Sequence, residues 1–307
     1  MPVTPVDLTN KKILITGPTG QVALPVVEHY AKIADVYALA RFRKAEDRAQ
    51  IESLGAKVLQ ADLADASSLD VVPEGFDYVL NFAVVKSGDF EYDLAANAEG
   101  VGNLMIRCRT AKAFLHFSST AVYEYCGQEP RAENAPLGDN HRVMFPTYSI
   151  SKIAAETVCR FVAHQQKIPT TIARLSVPYG DNGGWMYFHM LMMQQGIAID
   201  LHPDKPNYYN PLHSDDYIEK IPYLLGAASI DVTTVNFGGS QKVSIEEWCS
   251  YITELTGFEP NFQDNAKAFG SLCIDLEKMH GLIGETKVDW RHGIRRQLEN
   301  LAPDLLR

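Results

Sequence analysis

A glycine-rich turn near the start of the chain is the feature that most constrains the fold. The apolar run ILI (13–15) leads into a turn that contains Gly17 and Gly20, and apolar residues then recur at helical spacing from Val22 to Val27. A buried parallel strand, a tight turn and a helix that packs on the sheet produce this pattern. Such a turn directs backbone N–H groups and the positive end of the helix toward a bound phosphate. An ordinary strand–turn–helix unit is the alternative.

Each small residue of this turn has a predicted task. Gly17 lets the chain turn, Gly20 lets a pyrophosphate approach without meeting a Cβ, and Ala23 allows the helix and strand to pack closely. The residues of this turn predicted to contact a dinucleotide cofactor are Gly17, Thr19, Gly20, Gln21 and Val22.

Strand-like apolar runs recur along the chain, with helical patterns between them. The runs lie at 36–40, 57–60, 77–83, 113–118, 170–175 and 232–237, and the clearest helical patterns lie near 95–112 and 148–166. This alternation predicts an α/β fold with a doubly wound parallel sheet, the Rossmann fold, covered by helices on both faces.

The texture of the sequence changes beyond about residue 178. Gly and Pro become frequent, and the segment WMYFHMLMMQQG (185–196) is rich in aromatic residues and Met. We expect a dinucleotide-binding domain from 1–177 plus 211–238, and a smaller C-terminal substrate-binding lobe from 178–210 plus 239–307.

Charge and cysteine content limit the function classes. The net charge of −10 and the pI near 5.4 argue against nucleic acid as a partner, because phosphate binding needs a basic surface. The five cysteines are scattered without a CxxC pair, which indicates reduced thiols and offers no metal site. With no signal-peptide or membrane-span pattern, we expect a cytoplasmic protein that acts on a small molecule, without a membrane partner.

The end of the second strand indicates which dinucleotide binds. Ala40 and Arg41 stand roughly 20 residues past the glycines, where an acid would bond the ribose 2′-hydroxyl of NAD. Without that acid, a 2′-phosphate could lie against the Arg41 guanidinium, which favours NADP(H) and leaves NAD(H) open. The neighbouring Arg43 and Lys44 could belong to a solvated helix start rather than to the cofactor site. Asp62, after the third strand, could accept a hydrogen bond from the adenine amino group or serve only as a turn aspartate.

The segment Tyr148-Ser-Ile-Ser-Lys152 carries the predicted chemistry. On a helix these two residues share a face, since the fourth residue along returns to the same side. A phenol with an ordinary pKa of about 10 is a poor base at neutral pH, but a neighbouring ammonium favours the phenolate. Ser119 lies at the carboxyl end of the fifth predicted strand, where a hydroxyl could hold a substrate oxygen.

In this order, these motifs resemble those of the extended short-chain dehydrogenases/reductases of the NAD(P)-dependent epimerase/dehydratase type. The matching segments are TGPTGQVA (16–23), DL (62–63), NFA (81–83), NAEGVGNL (97–104), FSSTAVY (117–123), YSISK (148–152), RLSVPYG (174–180), PLHSDD (211–216) and WRHGIRRQLE (290–299). They span nearly the whole chain.

The resemblance implies roles for the catalytic residues. Tyr148 would be the general acid/base, Lys152 would bind the nicotinamide ribose and lower the pKa of the tyrosine, and Ser119 would polarise the substrate carbonyl. Hydride would pass between nicotinamide C4 and a carbinol carbon. A homodimer formed through the helices near 95–112 and 148–166 is also implied.

Further cofactor contacts follow from the same resemblance. Asp62 and Leu63 would lie beside the adenosine, Phe82 and Ala83 beside the phosphate–ribose path, and Val177 beside the nicotinamide. The family's helix asparagine matches Asn97, for which we expect a structural role.

Departures from the family pattern bear on the reaction. Thr120 and Ala121 stand where dehydratases carry an Asp-Glu pair, which argues against dehydration. The segment NYYNP (207–211) lacks the arginine that holds the diphosphate in sugar-nucleotide members. The aromatic and Met-rich segment at 185–193 favours an apolar substrate wall, although a lobe-packing helix would give the same pattern.

The leading prediction is an NAD(P)(H)-dependent dehydrogenase/reductase that interconverts an alcohol and a carbonyl on a small, apolar organic substrate. One alternative is a nucleotide-sugar epimerase with tightly bound NAD. Another is a non-catalytic NADP-sensing module, against which the Tyr148/Lys152 pair argues.

Overall fold

The computed structural model describes residues 2–307. Its first half alternates strands and helices. In chain order the elements are β1 (Lys12–Thr16), α1 (Ala23–Tyr30), β2 (Asp35–Ala40), α2 (Ala45–Ser53), β3 (Lys57–Gln60), β4 (Tyr78–Asn81), α3 (Phe90–Leu94), α4 (Gly100–Arg107), β5 (Ala113–Ser119), α5 (Tyr148–Gln166) and β6 (Thr170–Leu175).

The second half consists of shorter strands and five more helices. They are β7 (Pro178–Gly180), β8 (Gly183–Gly184), α6 (Trp185–Gln194), β9 (Ala198–Leu201), β10 (Tyr208–Tyr209), β11 (Leu212–His213), α7 (Ser214–Gly226), β12 (Thr233–Phe237), β13 (Val243–Ser244), α8 (Ile245–Thr256), β14 (Asn261–Asp264), α9 (Glu277–Ile283) and α10 (Trp290–Leu301).

Seven strands form one parallel sheet in the order β12-β6-β5-β4-β1-β2-β3. The predicted doubly wound α/β fold is therefore confirmed. The strand order changes direction between β1 and β4, and a crevice forms at the carboxyl ends of the strands where such a change occurs.

The apolar side chains of β1 alternate between two cores, one on each face of the sheet. Ile13 and Ile15 pack in the core that contains Val26 of α1, whereas Leu14 packs in the core that contains Leu104 of α4. Consecutive residues of a strand point to opposite faces, so a continuous apolar run is what a strand covered on both sides requires.

The helix predicted near 95–112 differs from the observed one. Helical structure starts earlier, at Phe90, passes through a π-helical turn at Ala95–Glu99 and ends at Arg107. Gly100 explains the close fit at this point, since a Cβ there would lie 2.3 Å from the Leu63 backbone oxygen.

Three elements of the second half, α6, α8 and β10, meet at a cluster of large aromatic side chains. Trp185 of α6 and Trp248 of α8 have ring centres 5.7 Å apart, and Tyr209 of β10 packs against both. Within residues 2–307, no helix combines the length and the apolar character needed to cross a membrane.

Candidate functional site

The glycine turn closes tightly against the end of β4. Gly17 has φ +64°, a conformation that favours glycine, and a Cβ on it would lie 2.9 Å from the Ala83 Cα. The Gly17 N–H donates to the Leu39 oxygen over 3.0 Å. Any larger residue at position 17 would push apart the two segments that form the crevice.

The start of α1 offers unused hydrogen-bond donors. The N–H groups of Thr19, Gln21 and Val22 make no hydrogen bond within residues 2–307, and Ala23 is buried beneath them. Free N–H groups and the positive end of a helix suit a phosphate. The residues present therefore fit a dinucleotide.

A cavity of about 360 Å³ extends from this turn along the ends of β2, β3 and β4. Most residues predicted to bind the cofactor line it, and they are Gly17, Thr19, Gly20, Arg41, Asp62, Leu63, Phe82 and Ala83. Gln21 and Val177 line a second, adjoining cavity instead, and Val22 lines neither. Asn97 holds the loop that borders the first cavity through hydrogen bonds of 2.7 and 2.8 Å with the Val85 backbone.

Arg41 is held in place by a tyrosine that sequence reasoning missed. Its Nη1 donates to the Tyr92 hydroxyl over 2.6 Å, and that hydroxyl donates to Asp62 Oδ2 over 2.9 Å. Asp47, at the start of α2, lines the same cavity as Arg41. The end of β2 lacks an acid, as expected, but a carboxylate from elsewhere in the chain lies nearby.

The second cavity, of about 670 Å³, contains the predicted reaction centre. Ser119, Tyr148 and Val177 line it. Lys152 is buried behind it, and its Nζ donates to the Phe117 oxygen over 2.7 Å. Helical spacing therefore brings Tyr148 and Lys152 to one side of α5, as the sequence predicts.

Burial is the main influence on the pKa values of Tyr148 and Lys152. Burial raises the pKa of Tyr148, and the Ser119 side chain acts in the opposite direction. Burial also lowers the pKa of Lys152 to about 8. The expected effect of Lys152 on the pKa of Tyr148 stays a prediction for the cofactor-bound protein.

A buried ion pair supports the strand that carries Ser119. Arg174 donates to both oxygens of Glu156, over 2.9 and 2.8 Å, and the Ser118 hydroxyl donates to Glu156 Oε1 over 2.7 Å. Both charged side chains are almost fully buried. The pair joins α5, the helix that carries Tyr148, to β5 and β6.

The wall of the second cavity is mainly aromatic and aliphatic. No Asp, Glu or Arg lines it in the part of the chain that the structure describes. The wall residues are Met144, Phe145, Leu175, Pro178, Trp185, Tyr187, Phe188, Tyr209, Phe269 and Leu272. Thr120 reaches the cavity, whereas Ala121, its neighbour in the segment that replaces the dehydratase pair, does not.

The aromatic and Met-rich helix α6 both lines the second cavity and packs in the core. Trp185 and Phe188 line the cavity, whereas Met190 and Met193 are buried in the core. His189 accepts a hydrogen bond of 2.9 Å from Trp248 Nε1, and burial lowers its pKa to about 4. It is therefore a neutral structural histidine.

Comparisons with known proteins agree with this geometry. A sequence model of the NAD dependent epimerase/dehydratase family matches residues 13–237. A dTDP-D-glucose 4,6-dehydratase of Bos taurus is 23% identical over an alignment of 331 positions. The alignment covers 96% of this chain and 90% of that protein. The uncharacterized UDP-glucose epimerase YtcB of Bacillus subtilis (strain 168) is 25% identical and covers 74% of this chain and 72% of its own.

Solved structures show the same fold. The dTDP-glucose 4,6-dehydratase DesIV of Streptomyces venezuelae, solved with NAD bound, has a TM-score of 0.80 at 19% identity, covering 95% of this chain and 97% of that one. The UDP-glucuronic acid 4-epimerase of Bacillus cereus, in complex with UDP-glucuronic acid and NAD, has a TM-score of 0.76 at 18% identity, with coverage of 94% and 98%.

The seven-stranded parallel sheet and the family match make this chain a Rossmann-fold protein of the extended short-chain dehydrogenase/reductase class. Within that class, the chain belongs to the NAD dependent epimerase/dehydratase family.

Proposed function

We propose that this protein is an NAD(P)(H)-dependent oxidoreductase that transfers hydride to or from a carbinol carbon of a small organic substrate. The observation that carries the proposal is the position of Ser119 and Tyr148 on one cavity with an apolar wall, next to the dinucleotide crevice. A bound nicotinamide would supply or accept the hydride.

The chain's own residues would orient the substrate and move its proton. The Ser119 hydroxyl would hydrogen-bond the substrate oxygen, and the Tyr148 hydroxyl would donate a proton to that oxygen during reduction or remove it during oxidation. The positive charge of Lys152 would stabilise the phenolate that results. The apolar wall would exclude water around the transfer.

Arg41 is the proposed basis for a preference for NADP(H). We expect Arg41→Ala to raise the KM for NADPH roughly tenfold or more, because a charge-assisted contact to the 2′-phosphate is lost, and to leave the KM for NADH within about twofold. Steady-state kinetics with both cofactors measure this. Arg48→Ala, which removes only an exposed pair with Glu52, is the control. Equal effects on both cofactors would contradict an Arg41 contact with the 2′-phosphate.

A nucleotide-sugar epimerase is the second candidate, favoured by the names of the relatives and structural neighbours. An epimerase would return the hydride to the same sugar and keep its NAD. The protein would be dialysed, denatured and analysed by mass spectrometry to distinguish the two. NAD that survives dialysis favours the epimerase. A protein that retains no nucleotide but binds added NADPH favours the reductase. The dehydratase relatives carry less weight, since no carboxylate lines the cavity within residues 2–307.

The quaternary and domain organisation are also proposals. Phe161 on α5 is 65% exposed and Ile106 on α4 is 44% exposed, and large exposed apolar residues on these two helices suit a homodimer interface. We expect Phe161→Lys to halve the molar mass measured by light scattering. An unchanged mass would contradict an interface through α5.

Residues 1–177 plus 211–238 remain the proposed dinucleotide-binding domain. The unpaired cysteines support a cytoplasmic location.

A further inference from the structure

Lys86 is a charged residue that lines the second cavity but has no role in the proposed mechanism. Its ammonium lies 4.6 Å from the ring centre of Phe145 and 5.2 Å from that of Tyr148. The side chain makes no hydrogen bond or ion pair with any residue in the described range 2–307, and no acidic residue of that range lines the cavity with it. The Lys86 side chain keeps contact with solvent, and partial desolvation lowers its pKa.

The backbone on both sides of Lys86 is fixed by buried side chains. Asn97 makes two hydrogen bonds with the Val85 backbone, and Asp93 accepts hydrogen bonds from the N–H and the hydroxyl of Ser87. Asp93 also accepts from Thr147, the residue directly before Tyr148. One buried carboxylate thus ties the segment that carries Lys86 to the start of the helix that carries Tyr148.

Two further polar atoms on this cavity lack partners. Ser176 is only 3% exposed, and its hydroxyl makes no hydrogen bond within the described chain. His141 stacks on Phe269 with ring centres 4.0 Å apart, and its buried Nδ1 is equally without a partner. Burial and the nearby Lys86 lower the pKa of His141 to about 4, so it is neutral at pH 7. Buried polar atoms are normally hydrogen-bonded, so the Ser176 hydroxyl and His141 Nδ1 are free to bond water or a polar group of a ligand.

We propose that the second cavity binds a small organic substrate through a carboxylate, which Lys86 neutralises while the aromatic wall covers the rest of the molecule. The proposal rests on the proposed function and names its substrate class. Because Lys86 lies beside the Tyr148 ring, the carboxylate is close along the substrate skeleton to the carbon that exchanges hydride. The substrate class is therefore a hydroxy acid or oxo acid with an apolar side group.

A single ammonium suits a carboxylate better than a nucleotide diphosphate. A diphosphate carries more negative charge and is typically held by guanidinium groups that bind two oxygens at once. No arginine lines the cavity within residues 2–307, and His141 carries no charge at pH 7. The charge on the cavity wall therefore matches one carboxylate.

Equilibrium binding tests the proposal independently of turnover. Isothermal titration calorimetry on the full chain would compare mandelate, phenyllactate and tropate, each with its neutral amide, and UDP as a separate ligand. We expect at least one carboxylate to bind tenfold or more tightly than its amide, the size of one charge-assisted hydrogen bond. The preference should disappear in Lys86→Met and persist in Lys32→Met, which alters only an exposed pair with Glu28.

The proposal is overturned if no carboxylate is preferred over its amide, whether or not the amides bind, or if Lys86→Met keeps the preference. It is also overturned if only UDP binds in a Lys86-dependent manner, which would favour a nucleotide-sugar substrate. Thermal unfolding of Lys86→Met should match that of the wild type, which shows that the fold is kept. A failure here leaves hydride transfer by Tyr148 untouched, since that claim depends on turnover rather than on carboxylate binding.

Discussion

Replacing Tyr148 by Phe is expected to lower kcat by about 10²- to 10⁴-fold while the affinity for the nicotinamide cofactor changes only a few-fold. The substitution removes the hydroxyl that we propose exchanges a proton with the substrate oxygen, and it keeps the ring that lines the cavity. Burial raises the pKa of this phenol, so in the absence of a ligand it is protonated at neutral pH and ready to act as an acid in carbonyl reduction. The measurement is steady-state turnover together with cofactor titration.

Tyr187→Phe is the matched control, because Tyr187 lines the same cavity and its loss removes a hydroxyl without touching the predicted set. Its kcat should stay within a few-fold of the wild type. Equal turnover in Tyr148→Phe and the wild type would exclude Tyr148 as the acid/base. A wild type that binds cofactor but reduces or oxidises nothing would favour the non-catalytic sensing module.

Replacing Glu156 by Gln is expected to lower the free energy of unfolding by roughly 3–5 kcal/mol. Arg174 would lose the carboxylate that faces it through two hydrogen bonds and would remain as an uncompensated charge that is only 3% exposed. Ser118 would lose an acceptor as well. Denaturant unfolding, analysed by linear extrapolation, measures the change.

Two variants separate this effect from a general loss of surface charge. Glu52→Gln breaks the exposed pair with Arg48 and should change stability by about 0–1 kcal/mol. Glu156→Gln combined with Arg174→Met should recover part of the lost stability, since it removes the stranded charge. A loss below about 1 kcal/mol in the single Glu156 variant would contradict a structural role for the buried pair.

Residues whose position depends on local sequence were predictable. The run at 113–118 became β5 (Ala113–Ser119), and strand polarity alone brought Ser119 to the same edge of the sheet as the glycine turn. Tyr148 and Lys152 share a side of α5 because helical periodicity requires it. Gly17 was predictable because the tight turn holds it at φ +64°, a conformation that favours glycine.

Residues that reach the site from distant segments were not predictable. Tyr92 meets Arg41 across 51 positions, and Asp47 enters the first cavity only because α2 begins beside it. Lys86 and Tyr148 are far apart in the sequence, and their proximity depends on Asp93, which joins the two segments that carry them. The spacing of side chains along a strand or helix carries no information about such contacts.

Hydride transfer between nicotinamide and substrate can be followed with reduced nicotinamide deuterated at C4. The full-length protein would be incubated with deuterated NADPH or NADH and a panel of carbonyl compounds that includes oxo acids, and the products analysed by mass spectrometry. We expect deuterium on the carbinol carbon of at least one product, and none with Tyr148→Phe in the same time. Cofactor binding without deuterium in any product, or equal transfer by Tyr148→Phe, would exclude hydride transfer that depends on Tyr148.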